Sequence, residues 1–128
     1  PHTVGGAITR AAAGIGERIG ATHLVTFTQS GDTARRLSRL HNHIPLLAFS
    51  PLQTTCNQLS VSWGVHAYKV DEVRHTDEMV KQVDQFLREK KLAPEGAQVV
   101  IVAGMPPGTP GATNSIRVHT VGEQVDFD

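Results

Sequence analysis

Apolar residues recur along this chain with two alternating periods, one near 3.6 and one near 2. Val4, Ile8, Ala11, Ala12, Ile15 and Ile19 fall on one helical stripe. Thr3 precedes that stripe as a cap, and Gly20 follows it as a left-handed stop. His23 to Phe27 then reads as a short strand, Thr28 to Thr33 as a turn, and Ala34, Leu37 and Leu40 as the apolar face of a second helix. Leu46 to Phe49 is the next strand. Ser50-Pro51 predicts a helix start, because proline lacks only an N–H that the first turn cannot use. Leu52, Cys56 and Leu59 carry that third helix inward, Trp63-Gly64 closes it, and Val65 to Val70 forms a third strand. Asp77 and Glu78 follow Thr76 where acids meet the positive end of a helix dipole, ahead of the stripe Met79, Val80, Val83, Phe86 and Leu87. Pro94-Glu95-Gly96 is a turn. Gln98 to Ala103 is a nearly continuous apolar strand of the kind buried on both faces. After a Gly/Pro-rich loop from Gly104 to Asn114, Ser115 to Val121 sets Ile116, Val118 and Thr120 against Arg117, His119 and Val121, as a half-exposed edge strand does.

Successive βα steps predict a parallel sheet with helices on both faces. The last strand follows a loop too short for a crossover helix and should run antiparallel to its neighbour. The expected fold class is α/β: a three-layer α/β/α sandwich whose mixed, five-stranded sheet has four parallel strands and an antiparallel last edge strand.

Composition narrows the function classes. The 128 residues suit one domain, and 39% hydrophobic with 19% charged residues is ordinary for a globular chain. Twelve basic residues balance twelve acidic ones, so nothing asks for nucleic acid. Cys56 is the single cysteine, which excludes an internal disulfide and fits a reducing compartment. No apolar run approaches the roughly 20 residues that span a bilayer, and Pro1 to Gly6 has no signal-peptide pattern. The expectation is a neutral cytoplasmic domain with no membrane partner.

The best candidate chemistry is the turn Thr28-Gln29-Ser30-Gly31-Asp32-Thr33. It places three hydroxyls and a glycine ahead of a helix, and a helix N-terminus presents free N–H groups and a partial positive charge to a phosphate. Simple capping by Ser30 or Asp32 explains the same residues. There is no Walker lysine, so the turn is not a nucleotide-hydrolysing P-loop. The loop holding Met105, Pro106, Pro107, Gly108, Thr109 and Gly111 also leaves a strand's carboxyl end and should lie on the same edge of the sheet. A plain long connection is the competing reading for it. His41 and His43 have no carboxylate or thiol near them in sequence, and a surface loop accounts for them. Cys56 reads as buried and inert, and Arg35, Arg36 and Arg39 as a solvated face or subunit contact. No nucleophile and base pair suggests a hydrolase, and no catalytic spacing emerges.

Ile8-Thr9-Arg10-Ala11-Ala12 leading to Ala21 through Gly31 is similar to the start of the C-terminal domain of pyruvate kinase. Trp63-Gly64-Val65, Thr76-Asp77-Glu78-Met79, Glu95-Gly96 before Val99 to Gly104, and Gly111-Ala112-Thr113-Asn114 before Ile116-Arg117-Val118 continue the match in order, from about Val4 to about Val121. The resemblance implies a parent enzyme that moves a phosphoryl group between phosphoenolpyruvate and ADP with Mg²⁺ and K⁺. The TIM-barrel domain that performs this is absent from residues 1–128, which begin almost at the first helix without an initiator Met, as an excised domain would. It implies a regulatory domain with no cofactor or catalytic residue of its own. Its effector site matches Thr28, Gln29, Ser30, Gly31, Asp32 and Thr33 together with Met105, Pro107, Gly108, Thr109 and Gly111. It also implies a homo-oligomer contact through Ile116, Arg117, Val118 and His119. Gln29 and Asp32 stand where relatives that bind a sugar bisphosphate often carry basic residues, so a nucleoside or hexose monophosphate is expected instead. The competing function is a stand-alone phosphometabolite-binding module without activity.

Overall fold

The structure, a computed structural model, describes residues 4–40, 43–103 and 115–123. Its elements are α1 (Val4–Ile19), β1 (His23–Phe27), α2 (Asp32–Arg39), β2 (Leu46–Ser50), α3 (Gln53–Leu59), β3 (Val65–Lys69), α4 (Thr76–Glu89), β4 (Gln98–Ala103) and β5 (Ser115–Thr120). The sheet runs β3-β2-β1-β4-β5, with four parallel strands and β5 antiparallel to β4. Helix α4 covers one face through Met79, Val80, Val83 and Leu87. Helices α1, α2 and α3 cover the other, with Ala12, Ala13, Ala34, Leu37 and Leu59 against Leu24, Leu46, Ala48, Val100 and Val102. This is the three-layer sandwich that the alternating periods predict. Among the described residues, no helix is long and apolar enough to cross a membrane.

Three local expectations are corrected. The face of α1 turned to the sheet carries Thr9, Ala12, Ala13 and Gly16, while Val4 and Ile19 are exposed. Ile8 and Ile15 of the expected stripe do pack on the core, partly buried at the flanks of the contact, because the helix lies close to the sheet: a Cβ on Gly16 would meet Ile44 Cδ1 at 2.9 Å and Leu24 Cδ2 at 3.0 Å. Small residues set that approach. Second, Ser50-Pro51 does not start α3. Ser50 is the buried last residue of β2, its Oγ accepts the Leu52 N–H at 3.2 Å, and Leu52 precedes the helix in an extended, exposed conformation. Third, Leu40 ends α2 as its exposed cap residue instead of extending the apolar face. Thr3 lies outside the described residues. Gly20 does take the left-handed stop, at φ 69°.

The edge strand β5 divides its residues between both layers. Ile116 packs on the α1 side, His119 and Val121 are buried on the α4 side, and Val118 is 42% exposed.

His23 is buried at the start of β1, with Nδ1 3.0 Å from Thr22 Oγ1. Burial, and after it the nearby His66, hold this imidazole below its ordinary value of 6.5. The unfolded chain therefore binds the proton more readily than the folded one. His23 contributes stability that is complete above the ordinary value and is lost as pH falls through and below it. Thermal melts should show a lower midpoint at about pH 5.5 than at about pH 7.5, and His23→Gln should reduce that difference. Equal pH dependence in both proteins would contradict the assignment.

Candidate functional site

The order of the sheet reverses between β1 and β4: from β1 the chain builds outward to β2 and β3, and β4 then joins the opposite side. In open α/β sheets the carboxyl ends of the strands at such a switch point frame a crevice where ligands bind. Here those ends are Phe27 and Ala103, held side by side through the register Thr26↔Val102. The turn 28–33 leaves one of them and opens α2. The loop that carries Met105, Pro107, Gly108, Thr109 and Gly111 leaves the other and lies outside the described residues.

Within the turn the backbone is tied tightly. Thr28 N–H donates to Phe49 O at 2.9 Å, which anchors the turn to β2. Thr28 Oγ1 accepts the Gly31 N–H at 2.8 Å, and Ser30 Oγ accepts the Asp32 N–H at 3.2 Å. Gly31 sits at φ 91°, a left-handed conformation that favours glycine and turns the chain into the helix. Thr55 Oγ1 on α3 donates to Gln29 O at 2.5 Å, so a second helix fixes the turn from the side. Thr33 is buried at the start of α2, and Asp32 and Ser30 are exposed. These bonds tie the turn, but neither Ser30 nor Asp32 caps α2: Gly31 holds the cap position and the helix has no side-chain cap hydrogen bond. A hydroxyl that accepts a backbone N–H still has its own proton to donate to a second partner, so these turn bonds and anion binding are compatible at Thr28 and Ser30.

Arg35 changes the electrostatics that the sequence suggests. One turn into α2, its guanidinium folds back over the loop: Nη1 donates to Ser30 O at 3.0 Å and Asp32 Oδ1 at 3.3 Å, and Nη2 to Gln58 Oε1 at 3.2 Å. The Asp32–Arg35 pair is open to solvent and adds little stability, but it places a cation where the turn itself has none. Sequence reading treats Arg35 as one of three surface arginines. The available signal is its spacing of three from Asp32, which puts both on one helical face. Gln58, 23 residues away, has no such signal.

Other candidates fall elsewhere. Cys56 is buried on α3, and burial pushes its thiol up, against nucleophilic use. His41 lies outside the described residues. Among the described residues, no three His, Cys, Asp or Glu side chains gather as a metal site requires. On β5, Ile116 and Arg117 are half-buried and Val118 is exposed, whereas the His119 side chain is wholly buried. His119 Nε2 lies 2.8 Å from Asp84 Oδ1, which also accepts the Gly122 N–H at 2.8 Å. Any part that His119 plays in a contact between chains is thus confined to its backbone.

Comparisons with known proteins agree with this fold. The family described as "Pyruvate kinase, alpha/beta domain" matches residues 6–119. The chain is 51% identical over 123 residues to pyruvate kinase of Mycobacterium tuberculosis and 43% identical over 123 residues to that of Corynebacterium glutamicum. Each match covers 96% of this chain and 26% of the relative. The fold is also that of part of a solved pyruvate kinase from Cryptosporidium parvum, with a TM-score of 0.85 at 21% identity, covering 94% of this chain and 23% of the other. This chain spans about a quarter of the length of the relatives it matches. With the order of its elements and most of its length in agreement, the chain belongs to the pyruvate kinase alpha/beta domain family.

Proposed function

We propose that this chain is the C-terminal regulatory domain of a pyruvate kinase and binds a phosphorylated effector at the turn between β1 and α2. The whole enzyme would transfer a phosphoryl group from phosphoenolpyruvate to ADP in the cytoplasm, with Mg²⁺ and K⁺ held on its barrel domain. This domain would contribute binding and subunit association, and no chemistry. The observation that supports the reading is the turn itself: the Thr28 and Ser30 hydroxyls, tied to the Gly31 and Asp32 N–H groups, lie beside the Arg35 guanidinium where β1 gives way to α2. Asp32 and Arg35 offset each other, and the loop from Gly104 to Asn114 has no Lys or Arg. That balance favours one phosphate over two, as in a nucleoside or hexose monophosphate. Met105, Pro107, Gly108, Thr109 and Gly111 would border the same ligand. Family membership weighs against a stand-alone binding module.

Calorimetric titration tests this. A nucleoside or hexose monophosphate should bind with a single site, and Thr28→Val with Ser30→Ala should weaken it at least about tenfold, the loss of two hydrogen bonds to a charged group. Binding unchanged in the double variant would contradict the site.

Association is proposed through β5. Its outer edge has Arg117 as the only formal charge, a weak defence against pairing with another strand. Antiparallel pairing of β5 with its copy across a two-fold would be self-limiting. Val118→Pro, which removes one N–H near the middle of the strand, should shift sedimentation towards monomer. A dimer that survives the substitution, or a parent chain that is monomeric at all concentrations, would place the contact elsewhere.

A further inference from the structure

Arg117 carries the only formal charge on β5, and it stands half-buried on the α4 side of the sheet, in register with Ile101. Among the described residues its guanidinium makes no ion pair. The carboxylate that β5 does meet on that side, Asp84, is taken by His119, the Gly122 N–H and Arg88. Burying a charge is costly unless it is paired, so a contact that covers Arg117 must bring an anion to it.

The backbone limits how β5 can pair with its copy. Val121 N–H donates to Ala97 O at 2.8 Å, towards β4. Backbone groups alternate along an antiparallel strand, so His119 and Arg117 also face β4, while Ile116 and Val118 turn their N–H and C=O to the open edge. Residues directly opposite each other are of one kind, both bonded across the pair or both not. Two registers then centre a two-fold on the strand. One sets Val118, exposed on the α1 side, opposite the partner's Val118 and sets Arg117 opposite the partner's His119. The other sets Arg117 opposite the partner's Arg117. Both put the two Arg117 side chains on one face, directly opposite or on the diagonal, where Cβ atoms stand about 4.5–8 Å apart and long side chains meet. Like charges so placed repel. We propose that the two Arg117 guanidinium groups form a shared oxyanion site that exists only in the dimer, with one phosphate or sulfate group bridging them across the two-fold. The inference rests on the reading of β5 as the contact between chains. Each guanidinium offers a planar fork of donors to two oxygens of one anion, through charge-assisted hydrogen bonds about twice as strong as neutral ones. Anion binding and association are therefore linked, and each strengthens the other by the same factor.

The test is sedimentation equilibrium of the chain in chloride and in inorganic phosphate, at equal pH and ionic strength. Phosphate should tighten the dimer by about tenfold or more, the worth of a pair of charge-assisted hydrogen bonds. A chain that is monomeric in chloride and dimeric in phosphate is the extreme of the same result. Arg117→Gln should associate equally in both salts, and Arg117→Lys should keep part of the response, retaining charge without the fork. Unchanged circular dichroism verifies that each variant is folded. The response should survive Thr28→Val with Ser30→Ala, which separates this anion from one held at the turn. A hexose monophosphate in place of inorganic phosphate identifies the source: a larger effect assigns a phosphate ester, an equal or smaller one the free ion. If the dimer is sensitive to Val118→Pro but equally tight in both salts, or Arg117→Gln keeps the phosphate response, the shared site is wrong and β5 remains the contact. If the chain stays monomeric in phosphate at every concentration, or its dimer is indifferent to Val118→Pro, both readings fall.

Discussion

Phe49→Ala should lower stability by about 3–5 kcal/mol, the largest loss expected from any single truncation in this fold. Phe49 is fully buried on β2, the strand between β1 and β3. Its ring packs with Phe27 at 5.3 Å, Tyr68 at 6.2 Å and, edge-on, Phe86 of α4 at 4.9 Å between centroids. Truncation opens a cavity among three rings from three different elements, and backbone constrained by parallel pairing on both sides cannot close it. The loss joins the area removed from burial to the aromatic contacts themselves. For a domain of this size the melting midpoint should fall by more than about 10 °C. Phe49→Leu, which keeps most of the volume, should recover much of the difference. A midpoint within about 3 °C of the parent in Phe49→Ala would show that these rings are not the centre of the α4-side core.

Asp84→Ala should lower stability by about 2–4 kcal/mol, because it leaves two donors without an acceptor. Asp84 Oδ1 binds both the His119 ring and the Gly122 N–H, and Oδ2 lies 3.4 Å from Arg88 Nη1. A carboxylate only accepts, so this bond places the His119 proton on Nε2. His119 is fully buried, and Nδ1 has no partner among the described residues. Asp84 thus secures β5 and the turn after it to α4. Burial pushes the Asp84 carboxyl up, but the Gly122 N–H, His119 and Arg88 together outweigh it and hold the group below its ordinary 3.8. The sign follows: this stability is present above the ordinary value and is lost as pH falls through the lowered one. Asp84→Asn, which can still accept from Gly122, should lose less than Asp84→Ala and should flatten the acid limb of the stability profile. An Asp84→Ala protein as stable as its parent would contradict the role.

The regular elements were legible because each carries its period in side chains that face one layer. Val99 to Ala103 and Leu46 to Phe49 are apolar throughout because helices cover both faces of those strands. What was not legible depends on distance between elements. The stripe on α1 was legible in part: Ala12, Ile8 and Ile15 meet the core, but the helix approaches closely enough for Ala and Gly to take the centre of the contact, and Val4 and Ile19 stay outside. Pro51 suggested a helix start, yet β2 runs through Ser50 before the chain turns. Alternation in β5 left open which side was inward, and the buried polar partner Asp84 draws His119 to the α4 layer. At the candidate site the hydroxyls of Thr28 and Ser30 could be found from spacing. Arg35 could not, since its role follows from a side chain that folds back over the preceding turn and meets Gln58 on another helix.

The most direct measurement is a crystal structure of the chain with a nucleoside or hexose monophosphate at saturating concentration. The account predicts the phosphate at the start of α2, within about 3 Å of the Thr28 and Ser30 hydroxyls. Density for the phosphate only at another surface would contradict it.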